Sequence, residues 1–266
     1  MDIHKPKPVH NLREFLGEIA IIVTGVLIAL TLEQAVEAWH WHHQVENAEM
    51  ALGKELSETV GQSRERITVS ACVDRRLDEL AAIVDGAATG GNLPAVGDIA
   101  MPPARTWSDG VWTSTLDGQT GEHLAIERRN AFSVTYGFER LLATTNAREL
   151  DIWTRLYAMV GPGRPLPPAE AGDLRRSISE ARTANQVMGL AAVRVDQTTG
   201  SFGVELDEKL MSAFVQPAAS YAICKPIGAV PTHYGAAPIA NAITRARAAP
   251  IGRGQTGRAV AGAGAD

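Results

Sequence analysis

Aromatic residues make up only 5% of this 266-residue chain, and its formal net charge is only −5. Neither value fits a nucleic-acid-binding surface or a disordered acidic protein. Alternating runs of Val, Ile, Thr and aromatics are scarce while Leu, Ala, Glu and Arg recur, which argues against a β fold and for helices. No tandem repeat appears at solenoid spacing. The chain has no G-x-S-x-G, no H-E-x-x-H and no C-x-x-C, and Gly90-Gly91-Asn92 lacks the Lys and Ser/Thr of a phosphate loop. His123 and His233 have no recognisable catalytic partner motif. No catalytic residue and no cofactor is therefore expected, and nucleic acid is not an expected partner.

The charge that is present is unevenly spread. From Lys225 onward, four arginines and that lysine face Asp266 alone, a net of +4 that leaves −9 on the first 224 residues. This basic end, residues 226–266, is rich in Ala, Gly and Pro without apolar period and reads as a disordered tail with no assigned partner.

One long apolar run stands out. Phe15 to Leu32 reads FLGEIAIIVTGVLIALTL, eighteen residues whose only charge is Glu18. At about 1.5 Å per residue it spans roughly 27 Å, close to the hydrocarbon thickness of a bilayer. Lys5, Lys7 and Arg13 precede it, whereas Glu33, Glu37, Glu46 and Glu49 follow. The positive-inside rule then keeps residues 1–14 as a short cytoplasmic segment, makes 15–32 the transmembrane helix and exports the remainder, the topology of a periplasmic domain on a bacterial inner membrane. The competing reading is a signal peptide cleaved after Ala38, since Val36-Glu37-Ala38 carries small residues at the two positions a peptidase reads. The length of the run, the missing helix breaker and Glu14 and Glu18 favour an uncleaved anchor.

Glu18, Ile21, Gly25, Ala29 and Leu32 recur at spacings of three and four and share one stripe. Gly25-xxx-Ala29 is a small-xxx-small pair that lets backbones approach closely in lipid, and a charge beside it favours a protein neighbour. Self-association or contact with other membrane subunits is expected there; snorkelling of Glu18 to the cytoplasmic headgroups is the plainer reading. Gly17-Glu18-Ile19 with Gly25-Val26-Leu27-Ile28-Ala29-Leu30 resembles the opening of an uncharacterised family of bacterial single-pass membrane proteins with a GEI…G-[IV]-LIAL anchor, a long helix and an exported helical domain. The likeness covers about the first fifty-five residues, with a weaker echo from Trp112 to Trp153. It implies topology and no chemistry.

No proline occurs between residues 9 and 93. Val45, Ala48, Leu52, Leu56, Val60, Ile67, Leu77, Leu80 and Val84 approximate a three-four pattern, so 33–85 reads as a stalk helix continuing from the membrane. It could form a coiled coil, but Ser63 and Asp74 interrupt the seam, and packing on its own chain is the other outcome. Gly53 and Gly61 are candidate bends. Residues 86–105, with Pro94, Pro102 and Pro103, read as a loop. Helices are expected near 122–160 (apolar face Leu124, Phe132, Tyr136, Leu141, Leu142, Leu150, Trp153, Leu156 and Val160), 169–195 (Leu174, Ile178, Ala181, Met188, Val195) and 204–215. The fold class is all-α, an extracytoplasmic bundle over 86–225 packed antiparallel with the stalk.

Cys72 and Cys224 both fall on the exported side, where one bridge between them is favoured over two free thiols or an intermolecular link. Closing a loop of this length is valued at about 5 kcal/mol in the chain-entropy model.

The stretch Ala38-Trp39-His40-Trp41-His42-His43 invites a sharper reading. Glu33, Glu37 and His40 share a face with Glu-x-x-His spacing, as in di-iron bundles, and His40 and His43 stand at i, i+3. A single copy of the motif needs a second chain to complete a site. Trp39 and Trp41 as interfacial anchors explain the cluster without metal, because amphipathic rings belong where a helix leaves a bilayer. Glu122-His123 with Glu127 reads as helix-start capping and surface charge. Taken together, these features lead to the expectation of a non-enzymatic, membrane-anchored accessory or scaffold subunit. The alternatives are a sensory or ligand-binding module with Trp107, Trp112, Tyr136 and Trp153 lining a pocket, and a metal-dependent enzyme on the Glu33/Glu37/His40 face.

Overall fold

The computed structural model describes residues 12–201, 203 and 206–228. Most of the expected cytoplasmic segment, and the basic tail from residue 229, lie outside the described residues. Without proline to stop it, the chain forms one helix, α1, from Leu12 to Gly90, 79 residues and about 120 Å long. It continues five residues beyond the expected end at 85, and Ala87 is 3% exposed within the core. Gly91 stops it: its φ of +74° is a left-handed conformation open to glycine. Two short strands follow from that turn, β1 (Asn92–Leu93) and β2 (Arg164–Pro165), paired antiparallel with Leu93 opposite Arg164.

The chain then returns along α1. Ile99 meets Arg76, Arg105 meets Glu65, and Val111 and Trp112 meet Glu55. At the bottom His123 meets Trp41. This descent, residues 94–125, is irregular apart from α2 (Gly110–Asp117) and α3 (Thr120–His123). It carries the start of α4 (Ile126–Leu156) back to the base, so α4 climbs beside α1 in the same direction: Tyr136 reaches Glu55 and Glu149 reaches Arg66. Of the long helices beside α1 only α5 (Pro168–Ser201) runs down, with Arg175 on Asp85, Arg182 on Asp78 and Asp196 on Arg64. The expected three-helix antiparallel bundle is corrected accordingly. Finally α6 (Glu208–Phe214) and two 3-10 turns climb again, and Gly228 donates to the Asp98 carbonyl.

Three apolar clusters are threaded along α1. The lowest joins Leu52 and Leu56 to Trp112, Leu124, Phe132 and Tyr136. Val60, Leu142, Met188 and Val195 make the middle one with Met211. The uppermost surrounds Val69, Val73, Leu77, Leu80 and Val84 with Trp153, Leu156, Leu174 and Ile178. From Leu52 to Val84 the stalk's apolar seam is thus packed on its own chain rather than in a coiled coil, except at Ile67, which is 39% exposed. Ser63 is fully buried within it rather than interrupting it. Gly61 is an approach site, not a bend: a Cβ there would stand 2.8 Å from Phe214 and 2.9 Å from the Met211 carbonyl.

Candidate functional site

The lower part of α1 is the one helical stretch, among the described residues, long and apolar enough to cross a membrane. From Phe15 to His40 each side chain is exposed, Ile21 at 74% and Leu32 at 61%. A Cβ built on Gly25 meets no atom within 4 Å. Among the described residues nothing therefore explains a missing side chain at Gly25, and none of them covers the stripe of Glu18, Ile21, Gly25 and Ala29.

The folded domain begins at Trp41, about 13 Å above Leu32 along the helix. Its ring stacks on His123 with centroids 4.0 Å apart and planes 15° from parallel. Trp39, 66% exposed, meets only the edge of His43 one turn on. The two tryptophans expected to act alike therefore differ: Trp41 is roofed by the domain, and Trp39 is bare. His123 was expected to serve only capping and surface charge, and its place over Trp41 is not legible in sequence, being 82 residues away. His40 sits edge-on to Trp41, and His43 faces Glu46 at 3.5 Å. Glu33, Glu37 and His40 lie on the exposed stretch, and no group of three or more His, Cys, Asp or Glu side chains among the described residues is placed to share a metal. Beneath the Trp41–His123 stack a groove of about 460 Å³ is lined by Gln34, Glu37, Ala38, Trp41, His42, Val45 and His123.

Higher up, buried charges tie the segments together. Arg66 donates to both Glu149 oxygens at 2.8 and 2.7 Å and to Asn185 Oδ1 at 2.7 Å, joining α1, α4 and α5. Arg105 on the descent grips both oxygens of buried Glu65 at 2.6 Å. Glu55 accepts from the backbone N–H of Val111 and Trp112 at the start of α2 and from the Tyr136 hydroxyl at 2.8 Å. Glu139, 1% exposed, lies close by with its Oε2 unpartnered among the described residues. Burial, then repulsion from Glu55 and Asp109, pushes its carboxyl up to about 8. Apart from Glu139, these carboxylates are consumed in ion pairs and caps, an arrangement that clamps segments together.

Cys72 and Cys224 are bridged, with Cα atoms 4.8 Å apart and a sequence separation of 152. Arg75 donates to the Cys224 carbonyl at 2.9 Å, while buried Arg76 reaches the carbonyls of Ile99 and Lys225. The descent and the final ascent are thereby held to one level of α1. The four aromatics expected to share a pocket are separated. Trp112 stacks with Tyr136 in the lowest cluster, Trp107 borders the middle one, and Trp153 is buried in the uppermost.

Comparison of the whole chain with known proteins matches it to no family model, no curated protein and no solved structure.

Proposed function

We propose that the protein is a non-enzymatic, single-pass, membrane-anchored accessory or scaffold subunit of a membrane complex. Its N-terminus is cytoplasmic and its helical domain is periplasmic, on a bacterial inner membrane. The observation that carries this reading is the continuity of α1: one helix begins as an uncovered apolar stretch and ends as the central post of a folded domain. A soluble protein would expose that apolar surface to water at about 25 cal/mol per Å². The acidic residues after Leu32, the likeness of the GEI…LIAL anchor and the bridged cysteines favour the same orientation.

The subunit role rests on the Glu18/Gly25/Ala29 stripe, which leaves room for a second helix to approach at Gly25. Purification of the full chain in mild detergent is expected to bring down a stoichiometric membrane partner or a second copy. Recovery of a lone monomer overturns the proposal. Gly25→Leu is expected to abolish that association while the domain stays folded; unchanged association shows that the stripe is not the contact. An alkaline phosphatase fused after residue 228 is expected to be active, as an exported reporter is.

A further inference from the structure

The groove beneath the Trp41–His123 stack has a definite height on α1, and its height and lining together suggest an occupant. Gln34 and Glu37 stand about 3 and 8 Å beyond Leu32, whereas Trp41 and His123 stand about 13 Å beyond it. A bilayer's headgroup layer is roughly 5–8 Å thick on each side. Gln34 and Glu37, the lower lining of the groove, therefore lie within the headgroups of the leaflet that α1 leaves, while Trp41, His123 and Val45, the last about 20 Å beyond Leu32, stand above them. The domain comes down here, through α3, to the lowest level it reaches on α1.

The lining is chemically one-sided. Glu37 is its only carboxylate, and no lysine or arginine lines the groove. Glu37 makes no ion pair with a described residue. The Trp41 ring adds a negative π face suited to a cation. Gln34, about one turn nearer the hydrocarbon than Glu37, supplies amide N–H donors able to meet the phosphate of such a ligand. Glu46, outside the groove, faces His43 and is not part of the lining.

We infer that this groove binds the headgroup of a phospholipid carrying a cationic amine, with the ammonium on Glu37 and Trp41 and the phosphate below it, toward Gln34. The site rests on the membrane-anchored reading above. It gives the domain a fixed seat on the leaflet rather than a free tether.

The test uses the full chain in detergent, offered equal amounts of phosphatidylethanolamine and phosphatidylglycerol and read by native mass spectrometry. The wild-type chain is expected to retain phosphatidylethanolamine severalfold over phosphatidylglycerol, with Glu37→Gln bringing the two to parity and Glu46→Gln leaving the preference intact. Parity in the wild type, an unaltered preference in Glu37→Gln, or an equal loss in Glu46→Gln overturns the site. Soluble phosphoethanolamine in excess is expected not to displace the lipid; displacement assigns the groove to a free amine and overturns the lipid assignment. Alkaline carbonate extraction of membranes separates the two readings. A chain that resists extraction but lacks lipid preference loses only the groove, while a chain released by carbonate loses the anchor as well.

Discussion

At the scale of single residues, the side chains that organise the interior are the ones apolar periodicity passes over. On α4 the buried stripe runs Phe132, Thr135, Tyr136, Glu139, Leu142, Glu149, Ile152, Trp153 and Leu156, whereas Leu141 and Leu150 are 42% and 44% exposed. The sequence displays the stripe's spacing but does not mark its two carboxylates as buried, because the groups they meet, Arg66 for Glu149 and the repelling Glu55 for Glu139, are remote in the chain. Glu139 makes the cost of one of them measurable. In the unfolded chain it ionises near 4.5, while the folded protein holds its proton to about 8. Between those values the folded state binds more protons, so stability declines as pH rises through that window and levels off above it. Glu139→Gln is expected to match the wild type in urea unfolding at pH 4 and to be more stable at pH 9. A constant difference across the range would place the unfavourable charge elsewhere. Arg66 and Glu149, 3% and 4% exposed in their side chains, form the opposite case. Arg66→Met leaves a bare carboxylate in the core and is expected to cost about 3–5 kcal/mol, with Arg66→Met/Glu149→Leu losing much less. A double variant as unstable as the single one would assign the loss to packing.

At the scale of elements, the helices were legible and the descent was not. Proline-free stretches and three-four spacing place α1, α4 and α5 within a few residues of their ends, because helix periodicity is a local property. Residues 94–125 have no period; their path is dictated by what they meet on α1 at successive heights, Arg76, Glu65, Glu55 and Trp41. That path decides that α4 runs with α1 rather than against it, so the orientation of the bundle was hidden with it. The closing ascent is similar: α6 is seven residues long, rests on Gly61 and is held above by the Cys72–Cys224 bridge. Replacing both cysteines with serine is expected to lower stability by about 2–5 kcal/mol. Hydrogen exchange is expected to speed up first in residues 208–228, with α4 and α5 protected as before. Equal acceleration throughout would show that the bridge supports the whole bundle rather than its last segment.

At the scale of the molecule, the uninterrupted helix through residues 33–40 fixes how the domain stands on its anchor. Spin labels at Leu30 and Ile67, both exposed, are expected about 55 Å apart with a narrow distribution. Val36→Pro, which removes a hydrogen bond and clashes with the preceding turn, is expected to broaden that distribution without moving the thermal midpoint of the domain. A distribution equally broad in the wild type would mean that the helix already bends there. In the proposed anchoring, a stiff α1 is a lever pivoting in the membrane. A rocking of about 10° at its base swings Gly90, about 87 Å above Leu32, through roughly 15 Å. On the proposed subunit role, a neighbour gripping the Gly25 stripe would thereby turn adjustments of about 2 Å in lipid into displacements at the far end of the domain large enough to present or withdraw a contact surface.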